Sequence, residues 1–308
     1  VVHLAAEEGF ATRALASDRR SYTRELRVWD RSRRGLLWCN GLVPATATTG
    51  HADRVVHLHR LPEGMQKVAM IAARRGARLT VVPSRFMADQ LPGAALLANW
   101  SETVVQRVSS ERASDALRVG FLGRLGTDKG ITVLAEAVRR LRDEGAAARL
   151  VVAGEPRFAD HSSRTAVELS LRDLGPAVER LGWVAPGELF GAVDVLVVPS
   201  VWPEPFGLVV TEAMSARVPV IVSDAGALPE VVGDGYPWIA RRGDARSLAD
   251  TLAVFAGSSP EHRAAVVQGA HDRWRRAFSP EAGARRLGEI LATLGSEGAP
   301  GPMRPPAP

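Results

Sequence analysis

Apolar segments alternate with helix-forming stretches through the second half of the chain. Five of these segments have the length and the continuous apolar character of buried strands, and stretches with helical periodicity separate them. This alternation is typical of a parallel sheet covered by helices on both faces, because parallel neighbours need a crossover between them. The sequence therefore predicts strands over Leu117–Gly123, Leu150–Ala153, Val178–Val184, Val193–Val198 and Val218–Ser223.

Two glycine- and proline-rich loops follow predicted strands in this region. One spans Gly123–Lys129, and the other spans Pro199–Gly207. Ligands of open parallel sheets bind beyond the carboxyl ends of the strands, where both loops emerge. We therefore expect a ligand site formed by these two loops.

The first loop carries glycines and two cations. Gly123 and Gly126 allow a backbone to approach phosphate closely, and Arg124 and Lys129 flank the turn. The spacing matches neither the dinucleotide pattern G-x-G-x-x-G nor the P-loop pattern that ends in Gly-Lys-Ser/Thr. Loop cations are commonly only solvated charges, but Lys129 and Lys67 are the only lysines among 39 Lys and Arg residues.

The second loop places two glutamates around the start of a predicted helix. Glu204 precedes the helix and Glu212 lies in its first turns. A helix N-terminus leaves N–H groups unbonded, so the backbone of Phe206, Gly207 and Leu208 is a candidate anion site. Carboxylates beside it could accept hydrogen bonds from sugar hydroxyls. Glu212 taken alone is also explained as a charge that complements the helix dipole.

The sequence around these glutamates resembles a known family. Pro205-Phe206-Gly207 stands between the two acids, and Pro219–Ser223 and the segment Gly226-Ala227-Leu228-Pro229-Glu230 follow. The whole pattern is similar to glycosyltransferase family four, the retaining nucleotide-sugar transferases of the GT-B fold. The resemblance implies an α/β protein in which two Rossmann-like parallel-sheet domains enclose a cleft.

The resemblance also implies roles for individual residues. Glu204 would contact hydroxyls of the donor sugar, and Glu212 would hold the ribose. Arg124 and Lys129 would bind the diphosphate, and Trp183 and Val184 would line the base, although burial is the more frequent outcome for a Trp at a strand end. The catalytic residues would be His59, Glu204, Arg124 and Lys129, and the donor site would comprise Gly123, Gly126, Arg124, Lys129, Trp183, Val184, Glu204, Phe206, Gly207, Leu208 and Glu212.

A histidine pair and an asparagine are candidates in the first half of the chain. His57 and His59 lie at the end of a predicted strand, and family members place a histidine at a corresponding strand end near the donor sugar. Strand alternation points both side chains to the same face and does not choose between them. We favour His59 and assign His57 and Asn40, which ends the preceding strand, to the acceptor side.

The domain division follows from composition and resemblance. We predict an N-terminal acceptor-side domain over residues 1–112, a donor-binding domain over 113–278, a closing helix over 279–295 that returns to the first domain, and a disordered tail over 296–308. Within the first domain we predict the end of a helix at Val1–Gly9, a helix near Met65–Arg74, and strands at Phe10–Ala16, Leu36–Val43 and Val55–Leu58. The run Leu79–Asp89 resembles the strand-to-helix step late in the family's first domain. Compared with the family, the first strand and its glycine-rich loop are missing, so this domain is expected to be shortened.

No metal or cofactor is expected. The chain has no Asp-x-Asp, and no His or Cys cluster has the spacing of metal ligands. Arginine, lysine and helix N–H groups could stabilise the charge of a departing nucleoside diphosphate instead. Among the possible donors, a UDP-sugar is preferred to a GDP- or ADP-sugar.

Composition excludes several other classes of protein. No apolar run is long enough to span a membrane and no secretory signal is apparent, which favours a cytoplasmic enzyme. Cys39 lies in an apolar run and is interpreted as a buried small residue. The net charge of +5 suggests a nucleic-acid binder, but basic stretches at Arg31–Arg34, Arg74–Arg78 and Arg273–Arg276 lack accompanying stacking aromatics and are better explained as solvated faces or loops.

The leading hypothesis is a metal-independent, retaining hexosyltransferase-type enzyme. It would move a sugar from a nucleoside-diphosphate sugar to a hydroxyl of a small-molecule, lipid-linked or saccharide acceptor, in glycoconjugate, cell-envelope or natural-product glycosylation. The leading hypothesis also allows the enzyme to contact an anionic membrane peripherally, since basic amphipathic helices suit such a surface. The alternative is a nucleotide-sugar-binding homologue with little turnover, and a basic nucleic-acid binder is the third hypothesis.

Overall fold

The computed structural model describes Leu15 and residues 18–107, 116–157 and 160–296. Its contacts divide the chain into two units. The first comprises residues up to Pro83 together with Met87–Leu96, and the second comprises Ser84–Phe86 together with Leu97 onward. The predicted helix at Val1–Gly9 lies outside the described residues, as does nearly all of the predicted strand at Phe10–Ala16 and of the predicted tail over 296–308.

The first unit contains a four-stranded parallel sheet in the order β1-β2-β3-β4. Its strands are β1 Leu37–Asn40, β2 Arg54–His57, β3 Leu79–Val82 and β4 Ala94–Leu96. The helices in this half of the chain are α1 Arg19–Ser32, α2 Leu42–Ala47, α3 Met65–Arg74 and α4 Arg85–Gln90.

Strand β2 is buried along its whole length, including Arg54. The Arg54 guanidinium is 0 % exposed and donates to the carbonyl oxygens of His51, Ala45, Ala73 and Arg75 and to the Thr48 hydroxyl. A buried charge is tolerated when its donors are bonded in this way. Arg54 therefore ties α2 and the end of α3 to the centre of the sheet.

The predicted strand Leu36–Val43 was too long. Strand β1 ends at Asn40, because Gly41 has φ of 105°, a conformation that an extended strand cannot continue through. Helix α2 begins at the next residue, Leu42. The sequence pattern concealed this junction because Leu42 and Val43 are apolar in either structure.

The second unit contains a six-stranded parallel sheet in the order β10-β9-β8-β5-β6-β7. Sequence order runs outward in one direction from β5 and in the other from β8, so the topology reverses between these two neighbours. This is the strand order of dinucleotide-binding sheets. The strands are β5 Leu117–Leu122, β6 Ala148–Ala153, β7 Val178–Gly182, β8 Val195–Val198, β9 Val220–Ser223 and β10 Ile239–Ala240.

Helices cover both faces of this sheet, as the alternating pattern predicts. Leu150 and Val152 belong to one hydrophobic cluster, whereas Val151 between them belongs to the other. Successive strand residues point to opposite faces, so both faces of β6 are buried. The helices are α5 Ile131–Asp143, α6 His161–Asp173, α7 Pro186–Ala192, α8 Leu208–Ser215, α9 Leu228–Val232, α10 Ala245–Gly257, α11 Pro260–Ala277 and α12 Pro280–Ser296.

The segment from Leu97 to Arg107 packs with the second unit. Ser101 N donates to Phe278 O over 3.0 Å, and Trp274 Nε1 donates to Ser101 Oγ over 3.1 Å. The boundary that the sequence predicts, between residues 112 and 113, lies outside the described residues. The return of α12 to the first unit stays a prediction.

Candidate active site

Two loops meet at the point where the order of the six-stranded sheet reverses. The loop Gly123–Lys129 leaves the end of β5, and the loop Pro199–Gly207 leaves the end of β8. Strands β5 and β8 are hydrogen-bonded neighbours, with Val119 opposite Val195. The crevice beyond the strands at such a reversal is the usual ligand position in open parallel sheets.

Backbone contacts hold the two loops against each other. Val201 N and Trp202 N both donate to Asp128 O, over 3.0 and 3.1 Å. Gly130 has φ of 74°, and a Cβ atom there would lie 1.8 Å from Pro199 O. Only glycine permits this approach, so the start of α5 rests directly on the second loop.

Lys129 and Glu204 form an ion pair across this junction. Lys129 Nζ lies 2.5 Å from Glu204 Oε1, and the Glu204 residue is only 8 % exposed. The buried Ser200 hydroxyl donates to the same oxygen over 2.7 Å. The structure thus joins the cation predicted for the diphosphate to the carboxylate predicted for the sugar, a pairing that the sequence analysis did not anticipate.

Arg124 pairs within its own loop. Its guanidinium donates to the Asp128 carboxylate, and both side chains are about one-third exposed. The Asp128 backbone oxygen accepts the two N–H groups from the second loop, so this residue links Arg124 to the junction. Nothing in the sequence pattern singles out Asp128, whose position in a loop suggests solvation alone.

The start of α8 provides the expected unbonded N–H groups. Within the part of the chain that the structure describes, no acceptor lies within hydrogen-bond reach of Phe206 N, Gly207 N or Leu208 N. The Phe206 ring is buried and packs edge-on against Phe278, with centroids 5.4 Å apart. This anchor fixes the backbone that presents the three groups, which together suit an anion.

Glu212 lies in the second turn of α8 and is half-buried. Burial raises the pKa of its carboxyl group above the ordinary value. Among the described residues, none donates a hydrogen bond to this carboxylate. Glu212 therefore retains its full capacity to accept hydrogen bonds from a ligand.

Trp183 is exposed, contrary to the usual burial of tryptophan at a strand end. Trp183 follows β7, which is an edge strand of the sheet, and 65 % of its surface is accessible. The Arg157 guanidinium lies 4.6 Å from the Trp183 ring centroid. This cation over an aromatic face was missed from sequence, because Arg157 lies in the loop after a different strand, β6. Val184 follows Trp183 and is half-buried.

The first unit brings Asn40, His57 and His59 together. Asn40 stands opposite His57 in the register of β1 and β2, and the His59 ring is hydrogen-bonded to Asn40 Oδ1. The His57 and His59 ring centroids lie 4.0 Å apart. The three residues named from sequence therefore form one cluster at the carboxyl end of this sheet.

The two histidines differ in environment. His57 is 8 % exposed and its Nδ1 accepts a hydrogen bond from Trp38 Nε1 over 3.3 Å, whereas His59 lies at the surface. Burial, with the neighbouring His59, lowers the pKa of His57 to about 4, and desolvation also lowers the pKa of His59. Both rings are neutral near pH 7. Of the two side chains, His59 is accessible and His57 is nearly buried.

Other sequence predictions concern metal ligands, Cys39 and the basic stretches. Across residues 18–107, 116–157 and 160–296, no group of three or more His, Cys, Asp or Glu is arranged to hold a metal ion, and no helix is both long and apolar enough to cross a bilayer. Cys39 is fully buried, as predicted. Arg273 departs from the prediction of a solvated face, since it is partly buried and donates to Val231 O and Glu230 O.

These features define a known fold. Two units built on parallel sheets, with cations and acids at the reversal of the second sheet, form the GT-B fold of glycosyltransferases. The structure of Anabaena HepE in complex with UDP-glucose has a TM-score of 0.79 and 20 % identity, over 95 % of this chain and 88 % of that one. Sucrose-phosphate synthase from Thermosynechococcus elongatus has a TM-score of 0.76 and 21 % identity, over 90 % and 78 %.

Residues 116–256 match the model of the family "Glycosyl transferases group 1", and this segment contains both loops of the site. An uncharacterized glycosyltransferase of Methanocaldococcus jannaschii is 36 % identical over 137 residues, which are 44 % of this chain and 34 % of that protein. D-inositol 3-phosphate glycosyltransferase of Stackebrandtia nassauensis is 36 % identical over 172 residues, or 53 % and 38 %. The chain spans about a third of the length of these two curated relatives.

Proposed function

We propose that this chain transfers a sugar from a nucleoside-diphosphate sugar to a hydroxyl acceptor, with retention at the anomeric carbon and without a metal ion. The observation that carries the proposal is the junction of Lys129 and Glu204 at the reversal of the sheet. One supplies positive charge for phosphate and the other accepts hydrogen bonds from hydroxyls. A phosphorylated sugar satisfies both groups.

The diphosphate is proposed to bind Arg124, Lys129 and the N–H groups that begin α8. In this structure Arg124 is paired with Asp128 and Lys129 with Glu204. A short side-chain movement would bring each cation from its carboxylate to a phosphate. A diphosphate carries more negative charge than either carboxylate, so it can compete for both cations. Fixed cations and N–H dipoles also stabilise the charge that grows on the leaving group, which is the task a divalent ion performs in other transferases.

We propose that the two glutamates accept hydrogen bonds from different hydroxyl groups of the donor. Glu204 accepts hydrogen bonds from the sugar, and Glu212 accepts them from the ribose diol. The unbonded, half-buried carboxylate of Glu212 supports this role, because partial burial without a donor is unfavourable and a ligand hydroxyl relieves it.

Trp183, Arg157 and Val184 are proposed to receive the base. An exposed indole offers a flat face to a nucleobase, and the guanidinium over it favours stacking. Uracil is the base we propose. It is supported by the Anabaena HepE structures, which contain UDP and UDP-glucose.

The chemical step is proposed to occur on the face of the sugar from which the diphosphate departs. The bond from the anomeric carbon to the phosphate oxygen breaks, the acceptor oxygen bonds to that carbon, and the leaving phosphate takes the acceptor proton. His59, accessible and neutral, is proposed to contact the donor sugar, with Asn40 and His57 on the acceptor side. Small-molecule, lipid-linked and saccharide hydroxyls are the acceptor classes.

Titration calorimetry with UDP, GDP and ADP tests the donor site. We expect one of the three to bind at least tenfold more tightly than the corresponding nucleoside and to raise the melting temperature of the protein. No binding of any diphosphate would reject the proposal. Release of UDP from UDP-glucose, measured with and without acceptors, then separates a transferase from a nucleotide-sugar-binding homologue.

A further inference from the structure

We infer that Ser200 is a positioning residue, which holds one oxygen of Glu204 so that the other faces the donor sugar. The inference rests on the proposed function and extends it to a residue outside the predicted site. Ser200 is 1 % exposed and its hydroxyl donates to Glu204 Oε1 over 2.7 Å. A carboxylate only accepts, so the direction of this hydrogen bond is fixed.

The two oxygens of Glu204 have different surroundings. Oε1 accepts from both Lys129 Nζ and Ser200 Oγ, whereas Oε2 accepts from none of the residues that the structure describes. Oε2 has no partner among these residues and is not fully buried, so it is accessible at the surface of the site. The Glu204 carboxylate is thus anchored through one oxygen and open through the other.

Ser200 is itself held in place by three neighbouring contacts. Ser223 Oγ donates to Ser200 O over 2.7 Å, and the N–H groups of Val201 and Trp202 are bonded to Asp128 O. Pro199, just before Ser200, lies against Gly130. With its backbone fixed and its side chain away from water, Ser200 cannot release Glu204 without breaking a buried hydrogen bond.

The role of Ser200 becomes important when Lys129 engages phosphate. Glu204 is nearly buried, and a buried carboxylate without donors is unfavourable. If Lys129 moves from Oε1 to a diphosphate oxygen, Ser200 is the donor that remains on Oε1 among the described residues, and it keeps the carboxylate oriented. The sugar hydroxyl then bonds to Oε2. Lys129 and Ser200 therefore share one oxygen before the diphosphate binds, and Ser200 keeps its hydrogen bond to that oxygen afterwards.

The test compares the affinities of UDP and UDP-glucose, because their ratio isolates the contribution of the sugar. In Ser200→Ala we expect UDP affinity within about twofold of the parent. The ratio of UDP-glucose affinity to UDP affinity should fall about five- to tenfold. Ser200→Cys keeps a weak donor of similar size and should recover part of the ratio. Ser101→Ala removes another buried serine hydroxyl, bonded to Trp274, and serves as the control for general destabilisation.

Equal losses for UDP and UDP-glucose, or an unchanged ratio, would overturn the positioning role. A parent that binds UDP no more weakly than UDP-glucose overturns the inference while leaving the diphosphate site intact, and a parent that binds neither rejects the proposed function itself.

Discussion

Lys129 Nζ and Glu204 Oε1 lie 2.5 Å apart, although 75 positions separate the two residues in the chain. They follow different strands, β5 and β8, which become neighbours only because the sheet reverses its order between them. The ion pair neutralises the nearly buried carboxylate of Glu204 and holds the Lys129 ammonium group beside it. A diphosphate that binds Lys129 must therefore displace the Glu204 carboxylate from it.

Lys129→Ala should weaken UDP binding by about 1.5–3 kcal/mol, the contribution of a hydrogen bond to a charged group. Calorimetric titration of UDP measures the loss. Lys67→Ala removes the only other lysine, an exposed one on α3, and is the matched control with the same change of net charge. Similar UDP affinities in the two variants would rule out Lys129 as a diphosphate ligand.

Glu204→Gln should separate the nucleotide from the sugar. Gln releases Lys129 and removes a negative charge near the phosphates, so UDP affinity should stay at the parental value or rise a few-fold. The gain in affinity from UDP to UDP-glucose should be lost, because an amide nitrogen that cannot accept a hydrogen bond replaces Oε2. Binding of both ligands and steady-state turnover of UDP-glucose are the measurements, and an equal weakening for both ligands contradicts the assignment.

Glu212→Gln should stabilise the ligand-free protein at neutral pH while weakening UDP binding. Burial raises the folded-state pKa of Glu212 above its unfolded value, so the unfolding free energy falls as pH rises through that interval and remains lower above it. Gln carries no charge and avoids the penalty. The melting temperature of the variant should exceed that of the parent at pH 7.5, and the advantage should vanish near pH 4. Glu289→Gln, at an exposed site on α12, should show no such advantage.

His57 should make the first unit less stable in mild acid. Its folded-state pKa of about 4 lies below the ordinary 6.5, so the unfolded chain binds the proton first as pH falls through this window. The stability is complete above pH 6.5 and is progressively lost toward pH 4. Between pH 7.5 and 5, the parent should lose more melting temperature than His57→Asn does. His161→Asn, at an exposed site, should behave like the parent, and an NMR titration midpoint for His57 near 6.5 would refute the prediction.

Gly130→Ala should disrupt the junction of the two loops. The new Cβ would lie 1.8 Å from Pro199 O, and φ is 74°, so the variant suffers both a collision and backbone strain. Gly145→Ala is the matched control, since φ is 93° but no atom lies within 4 Å of its Cβ position. Denaturant unfolding should show a loss of about 1–2 kcal/mol for Gly145→Ala, the cost of a left-handed residue. It should show a clearly larger loss for Gly130→Ala, together with loss of UDP binding.

Much of the second unit could be predicted from the sequence. All five predicted strands exist, and both loops leave the carboxyl ends of their strands. In the first unit, helix α3 spans Met65–Arg74, the range that its periodicity predicts. These features depend on local patterns, namely continuous apolar runs for strands buried on both faces and helical spacing between them. The roles of the site residues stay predictions, which the experiments above test.

What the sequence by itself determined is the set of elements, the order in which they follow each other, and the residues that stand at strand ends. The tertiary structure alone decided the strand order, and with it the pairing of Lys129 with Glu204 and the place of Ser200 beside them. It also decided that Trp183 is exposed, because β7 is an edge strand, and that only His59 of the two histidines is accessible. The physical reason is that strand periodicity reports which face a side chain points to, whereas neighbours, edges and burial arise from long-range packing between segments that the sequence keeps far apart.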